Sequence, residues 1–199
     1  MKQNEIQNYL ETVDQELKTY FEQIDVASLE QAKELILTAQ ERKNRVHVTG
    51  IGKPGHVSSY IASLLSSTGT PAYELHGTEA VHGSSGQVLA GDVVIAISNS
   101  GETTELIGTV ETLKKNGASI IAVTGNAASW LATHSDVLLL ASIKQEGDSM
   151  NKPPRISILA EIIVLQCLSL LLQNHYQLTP EEYVKWHPGG ALGKSILER

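Results

Sequence analysis

Two spacings of apolar residues alternate along this chain, and the change between them divides it. In residues 1–43, Ile6, Leu10, Val13, Leu17, Tyr20 and Phe21 recur every three to four positions, the period of one helix face. A second helix is predicted from an N-cap at Ser28, with Leu29, Ala32, Leu35, Ile36 and Ala39 on its apolar side. From residue 46 onward the apolar runs become short and nearly continuous. Val46–Thr49, Pro71–Leu75, Asp92–Ile97, Ser119–Val123 and Val137–Leu140 read as strands. Helices are predicted between them over His56–Ser66, over Thr103–Lys115 with a stop at Asn116-Gly117, and near Trp130. Strands that are apolar without alternation are covered on both faces, and their interleaving with helices predicts a parallel sheet.

A polar loop, Ser142–Pro154, precedes a long helix from about Ser157 to Gln173. That helix is apolar nearly all round, so it is central to the core or shared with another subunit. Thr179-Pro180-Glu181-Glu182 carries the cap, proline and acidic first turn of one more short helix. There is no internal repeat. The expected organisation is a single domain over 1–199, with a helical extension at 1–43 and an α/β core with C-terminal helices at 44–199.

Composition narrows the function classes. Of the 199 residues, 41% are hydrophobic, enough to fill a core, and only 5% are aromatic. The net charge is -7 with no basic run, which argues against nucleic acid or an anionic membrane as partner. MKQNEIQNYLETV lacks the apolar centre of a signal peptide, and ILAEIIVLQCLSLLL is interrupted by Glu161 and Gln166. Cys167 is the one cysteine, which excludes a disulfide within the chain and reads as a buried thiol. A cytoplasmic protein is expected.

The chemistry gathers at strand ends, where ligands bind in open parallel sheets. The first strand runs into Gly50-Ile51-Gly52-Lys53-Pro54-Gly55, and the third into Ser98-Asn99-Ser100-Gly101-Glu102-Thr103. Glycines allow close backbone approach, and Ser98, Ser100 and Thr103 offer hydroxyls beside a helix N-terminus. Such a turn suits a phosphate monoester, although a single hydroxyl there serves equally well as a helix cap. The glycine loop fits neither the Walker spacing nor the dinucleotide fingerprint, and Lys53 taken alone is equally a solvated lysine.

SNSGETTE, TGIGKPGH, STGTPAYELHGTEAVHG and the tail WHPGGALGKSIL together resemble the SIS (sugar isomerase) domain family, in its arabinose-5-phosphate isomerase-like branch. The resemblance runs over roughly residues 30–199. It implies a flavodoxin-like αβα sandwich with a five-stranded parallel sheet. It also implies a sugar-phosphate ligand and a homo-oligomer, a tetramer with active sites at subunit interfaces. Carried over residue by residue, it implies catalytic roles for Lys53, His82, Glu102, Glu146 and His187. Phosphate binding falls to Gly52, Ser98, Ser100 and Thr103, with Arg155 and Ser157 before the long helix.

Aldose–ketose isomerisation makes sense of that set. It needs imidazoles for ring opening, a base for a carbon-bound proton and a cation for the enediolate oxygen, with no cofactor or metal. Each residue also has a plainer role open to it: a structural histidine, a dipole partner at Glu102, a solvated loop charge at Glu146. The family's usual glycine-loop serine is Pro54 here, an aspartate after the His-Gly pair is Ser84, and its Pro-Thr-Ser-Ser-Thr run reads Pro154-Arg155-Ile156-Ser157-Ile158. Longer members continue into a paired CBS module, which these 199 residues do not contain. The expected activity is sugar-phosphate isomerisation, the alternative a sugar-phosphate sensor without turnover.

Overall fold

The computed structural model describes residues 2–187 of the chain. The elements run α1 (Lys2–Phe21), α2 (Val26–Glu41), β1 (Val46–Gly50), α3 (Lys53–Ser67), β2 (Ala72–Glu74), β3 (Val93–Ile97) and α4 (Thr104–Lys115). They continue β4 (Ser119–Thr124), α5 (Trp130–Thr133), β5 (Val137–Leu140), α6 (Ile156–Tyr176) and α7 (Pro180–Lys185). The five strands form one parallel sheet in the order β2-β1-β3-β4-β5. That order reverses direction between β1 and β3, which opens a crevice where their carboxyl ends diverge.

Alternation of side chains along each strand fills two layers. Val46, Val48, Val93, Ile95, Ile97, Ile121 and Val123 meet α2, α3 and α6 on one face. Val94, Ala96, Ile120 and Ala122 meet Leu106, Val110 and Leu113 of α4 and Leu131 of α5 on the other. The connection from β2 to β3 holds two 3-10 turns, Ala80–His82 and Ser84–Gln87, where the sequence pattern predicted no element. Below the sheet, Asp92 accepts bonds from the amides of Leu89 and Arg45 and from Asn44 and His47. Burial pushes its carboxyl up, but these four donors outweigh burial and hold it below the usual range.

Some helix boundaries differ from expectation for local reasons. Asp25, not Ser28, caps α2: its carboxylate accepts from the Ala27 amide at 3.0 Å and from the Ser28 hydroxyl at 2.7 Å. A carboxylate is the stronger acceptor at the positive end of a helix, so Ser28 donates to the cap instead of forming it. Helix α3 begins at Lys53, with Gly52 as cap and Pro54 in the first turn, where a missing N–H costs nothing. Gly50 must be glycine: a Cβ there would lie 2.7 Å from the Pro54 backbone.

Helix α6 is longer than its apolar run suggested. By length and composition it could cross a membrane, yet half of its most apolar window is packed inside the fold. Ile156, Ala160, Val164, Leu165, Leu168 and Leu172 are buried on it. The Tyr20 hydroxyl of α1 lies 3.3 Å from both Leu140 O and Ala160 O and so ties α1 to β5 and α6.

Candidate active site at the sheet's switch point

The loop after β3 is built around its hydroxyls. Ser98 is buried, and its Oγ accepts from the Gly101 amide at 3.2 Å and lies 3.1 Å from the Thr103 Oγ1. Ser100 Oγ accepts from the Glu102 amide at 3.2 Å. A hydroxyl has one proton to give and two lone pairs. The Ser98–Thr103 pair spends one proton between them, so one is left over, and Ser100 keeps its own. Thr103 caps α4 without a side-chain bond to its first turn, so the amides there stay free for an anion. Hydroxyl donors beside free helix amides can receive an anion, and they follow β3, next to the crevice between β1 and β3.

The loop keeps its shape by leaning on its neighbour. Gly101 has φ +68, and a Cβ there would stand 2.1 Å from the Ser129 Oγ. The Gly101 carbonyl accepts from the Leu131 amide at 3.0 Å. Glu102 was expected to be catalytic. Its Oε1 accepts from the Trp130 amide at 2.7 Å, so its side chain ties this loop to the start of α5.

Across the crevice, Lys53 opens α3, exposed to solvent. It lines a cleft of about 430 Å³ between α1, α3 and α6, together with Tyr9, His56, Tyr60 and Arg155. A smaller, more enclosed cavity of about 220 Å³ lies between the β1 loop, including Gly52, and the segment after β2, including Glu74, His76 and Thr78. His56, the last residue of the TGIGKPGH stretch, borders both cavities. His82 is exposed at the end of the first 3-10 turn.

The amino end of α6 departs most from the sequence-based expectation. Glu146, open to either a catalytic role or that of a solvated loop charge, is buried. Its Oε2 accepts from the amides of Arg155 at 2.6 Å, Ile156 at 2.7 Å and Ser157 at 3.2 Å. These are the donors that a phosphate at Arg155 and Ser157 would have used, and an internal carboxylate already holds them. Arg155 is paired with Asp148. The Ser157 hydroxyl is fully buried with no partner among the described residues. Glu146 thus satisfies the helix end from within, and Asp148 pairs with the Arg155 guanidinium, which still borders the cleft. Glu146 Oε1 makes no hydrogen bond among the described residues. Among the described residues the group is therefore pinned by one oxygen only.

His187 is not brought to these residues by one chain. Its Nδ1 lies 2.8 Å from the Tyr183 carbonyl, and its ring stacks on Tyr183. Trp186 beside it packs near Gly69 and lines a cavity with Ser66, Ala72 and Tyr73, at the carboxyl end of α3. Lys53 is at the other end of that helix, about 20 Å away at 1.5 Å per residue. The Pro-Gly-Gly-Ala-Leu-Gly segment that follows His187 lies outside the described residues.

Glu161 is the titratable group that sequence reasoning passed over, noted there only as an interruption. It is fully buried on α6, and neither carboxyl oxygen has a partner among the described residues. Burial, reinforced by the Glu146 charge, raises its pKa to about 8. A lone acid within an apolar run was the available signal.

Comparison with known proteins matches residues 40–171 to the family model described as SIS domain. The chain is 41% identical over 166 residues to arabinose 5-phosphate isomerase KdsD of Pseudomonas aeruginosa, covering 83% of this chain and 50% of that protein. It is 34% identical over 183 residues to arabinose 5-phosphate isomerase KpsF of Escherichia coli CFT073, covering 92% and 55%. The chain thus spans about half the length of the curated relatives it matches. Among solved structures, an Escherichia coli CFT073 protein in complex with arabinose 5-phosphate superposes with a TM-score of 0.78 at 33% identity, covering 94% of this chain and 95% of that one. A Bacteroides fragilis protein proposed as a phosphosugar isomerase of capsule formation gives 0.85 at 31%, covering 94% and 97%.

Proposed function

This chain belongs to the SIS domain family, and from that membership we propose that it is a sugar-phosphate isomerase interconverting an aldose and a ketose, of the arabinose 5-phosphate to ribulose 5-phosphate type. The observation that carries the reading is the β3–α4 loop, with unspent hydroxyl protons over an uncapped helix end at the switch point of the sheet. Ser98, Ser100, Thr103 and the first amides of α4 hold the phosphate, with Gly52 allowing close approach from the β1 side. The free Oε1 of Glu146 takes the carbon-bound proton of the open-chain sugar and returns it to the neighbouring carbon. Lys53 stabilises the enediolate oxygen formed between those two steps. His82 and His187 are the imidazoles for ring opening.

A second copy of the chain supplies what one copy lacks. Ile6 and Leu10 on α1 and Leu170 on α6 are more than half exposed, and Tyr60 beside the cleft is 42% exposed. Apolar surface of this extent on an otherwise covered fold favours association. We place the protein in the cytoplasm as a homotetramer in which His187 reaches a neighbour's Lys53. Sedimentation is expected to give four chains per particle. Mixing Lys53→Ala with His187→Ala chains is expected to restore part of the turnover that each alone has lost, and a monomeric, active species would sink the shared site.

The reading is tested by proton exchange in D2O with a panel of pentose 5-phosphates and hexose 6-phosphates, followed by NMR. Exchange of the C1 or C2 proton of one of them is the expected result. Ser100→Ala is expected to weaken binding of that sugar phosphate about tenfold, one charge-assisted hydrogen bond's worth. No exchange with any sugar, alongside thermal stabilisation by one, would make this a sensor and not an enzyme.

A further inference from the structure

The amino end of α6 holds two acids on either side of one turn of backbone. Glu146 Oε2 collects the amides of residues 155–157. Ser157, the last of those donors, lies one turn before Glu161 on the same buried face, with Ala160, Val164 and Leu168 around it. Both Glu161 oxygens and the Ser157 hydroxyl are buried without a partner among the described residues. An ion in that position would be uncompensated, whereas a neutral acid is merely under-bonded.

The other charges near α6 do not relieve it. From α1, Tyr20 faces the same region, its hydroxyl given to main-chain carbonyls and its proton held more tightly by burial, Cys167 and Glu161. From α2, Lys33 is bound by Glu30 and Glu34. From α3, Lys53 and His56 line the cleft against Ile158, Leu159 and Ile162, a different face of α6. Among the described residues, Glu146 is the one charged group that bears on Glu161, and it is negative.

Resting on the isomerase reading only for its consequence in turnover, we propose that Glu161 is a positioning residue for Glu146. Kept neutral in the core, it leaves the field of the α6 amides to the Glu146 carboxylate; once ionised, it repels Glu146 and loosens it from the helix end. The direction follows from linkage. The folded chain keeps the Glu161 proton up to about pH 8, while an unperturbed glutamate loses it near 4.5. Its contribution to stability is therefore greatest at low pH and is lost as pH rises through that interval. The strain of the ion falls on its one charged neighbour, so the helix end yields before the sheet does.

Amide hydrogen exchange on the full chain tests this, read as protection factors so that the intrinsic pH dependence cancels. Between about pH 7 and about pH 9, protection of residues 155–157 is expected to fall at least tenfold in the wild type, with a midpoint near pH 8. The strand amides of Ile95 and Ile121 are expected to stay better protected than the helix end throughout and to lose no more than the global loss that linkage sets. In Glu161→Gln, which keeps shape but cannot ionise, the local fall is expected to vanish, and Glu161→Met serves if the amide variant folds poorly. An equal fall in the variant, or protection at residues 155–157 as high as in the strands, overturns the proposal. With a sugar phosphate that turns over, kcat of the wild type is expected to decline over the same pH range with KM unchanged, and Glu161→Gln to remove the decline. The exchange comparison decides the proposal even if no sugar phosphate turns over.

Discussion

Glu146→Ala is expected to lower the thermal midpoint by about 6–12 °C and to abolish turnover. The stability loss comes from the amino end of α6, where three amides share one carboxylate oxygen and two of them, at Ile156 and Ser157, belong to fully buried residues. Unmet buried amides cost about 1–3 kcal/mol each, and bonds to a charged acceptor are the stronger kind. The bonds converge on one atom and are not additive, so about 3 kcal/mol is a reasonable sum, at about 2–4 °C per kcal/mol for a chain of this size. Glu146→Gln separates the two roles. Its amide oxygen still accepts, so the melting point is expected to stay within about 4 °C of the wild type. Its lack of basicity is expected to cut proton exchange about a thousandfold if Oε1 is the base. A fully active glutamine variant would move the base elsewhere and leave Glu146 a helix cap.

Gly101→Ala is expected to cost about 2–4 kcal/mol and to remove sugar-phosphate binding. A left-handed backbone at φ +68 costs an alanine about 1 kcal/mol. The new methyl would also sit 2.5 Å from Ser129 Cβ and 2.9 Å from Thr124 Oγ1, in addition to the Ser129 hydroxyl. Overpacking of that kind adds about 1–3 kcal/mol. Relief requires the β3–α4 and β4–α5 loops to part, which breaks the Trp130–Glu102 and Leu131–Gly101 bonds and displaces the three hydroxyls together. Removing the opposing side chain, in Gly101→Ala with Ser129→Gly, is expected to relieve the two Ser129 contacts but neither the Thr124 contact nor the backbone strain. Calorimetry and phosphate titration on the single and double variants measure both parts. A single variant that binds and melts like the wild type would show that the two loops are not packed as described.

Features that depend on neighbours in sequence were legible in the chain itself. Strand runs at residues 46, 93, 119 and 137 announced a sheet covered on both faces, because burial on both faces erases alternation within a few residues. The glycines and hydroxyls after β1 and β3 announced the crevice, because turn chemistry is written in adjacent positions. Ser98, Ser100 and Thr103 stood out as candidates that way, whereas Lys53 became one only through the family resemblance.

Other features depend on where distant segments meet, and only the folded chain decided them. Ser28 has a good cap's chemistry, but Asp25 lies one turn closer to the free amides and is charged. Arg155 and Ser157 stand before a long helix as phosphate ligands would, yet a loop without periodicity folds back to bring Glu146 and Asp148 to them. His187 is placed at the far end of α3 by the packing of Trp186 near Gly69, which no local pattern encodes. Periodicity and turn residues determined the sheet and the hydroxyl-rich loop after β3 because those are short-range preferences. The assignment of each charge to its partner waited for tertiary structure, because electrostatics acts through space and is indifferent to chain order.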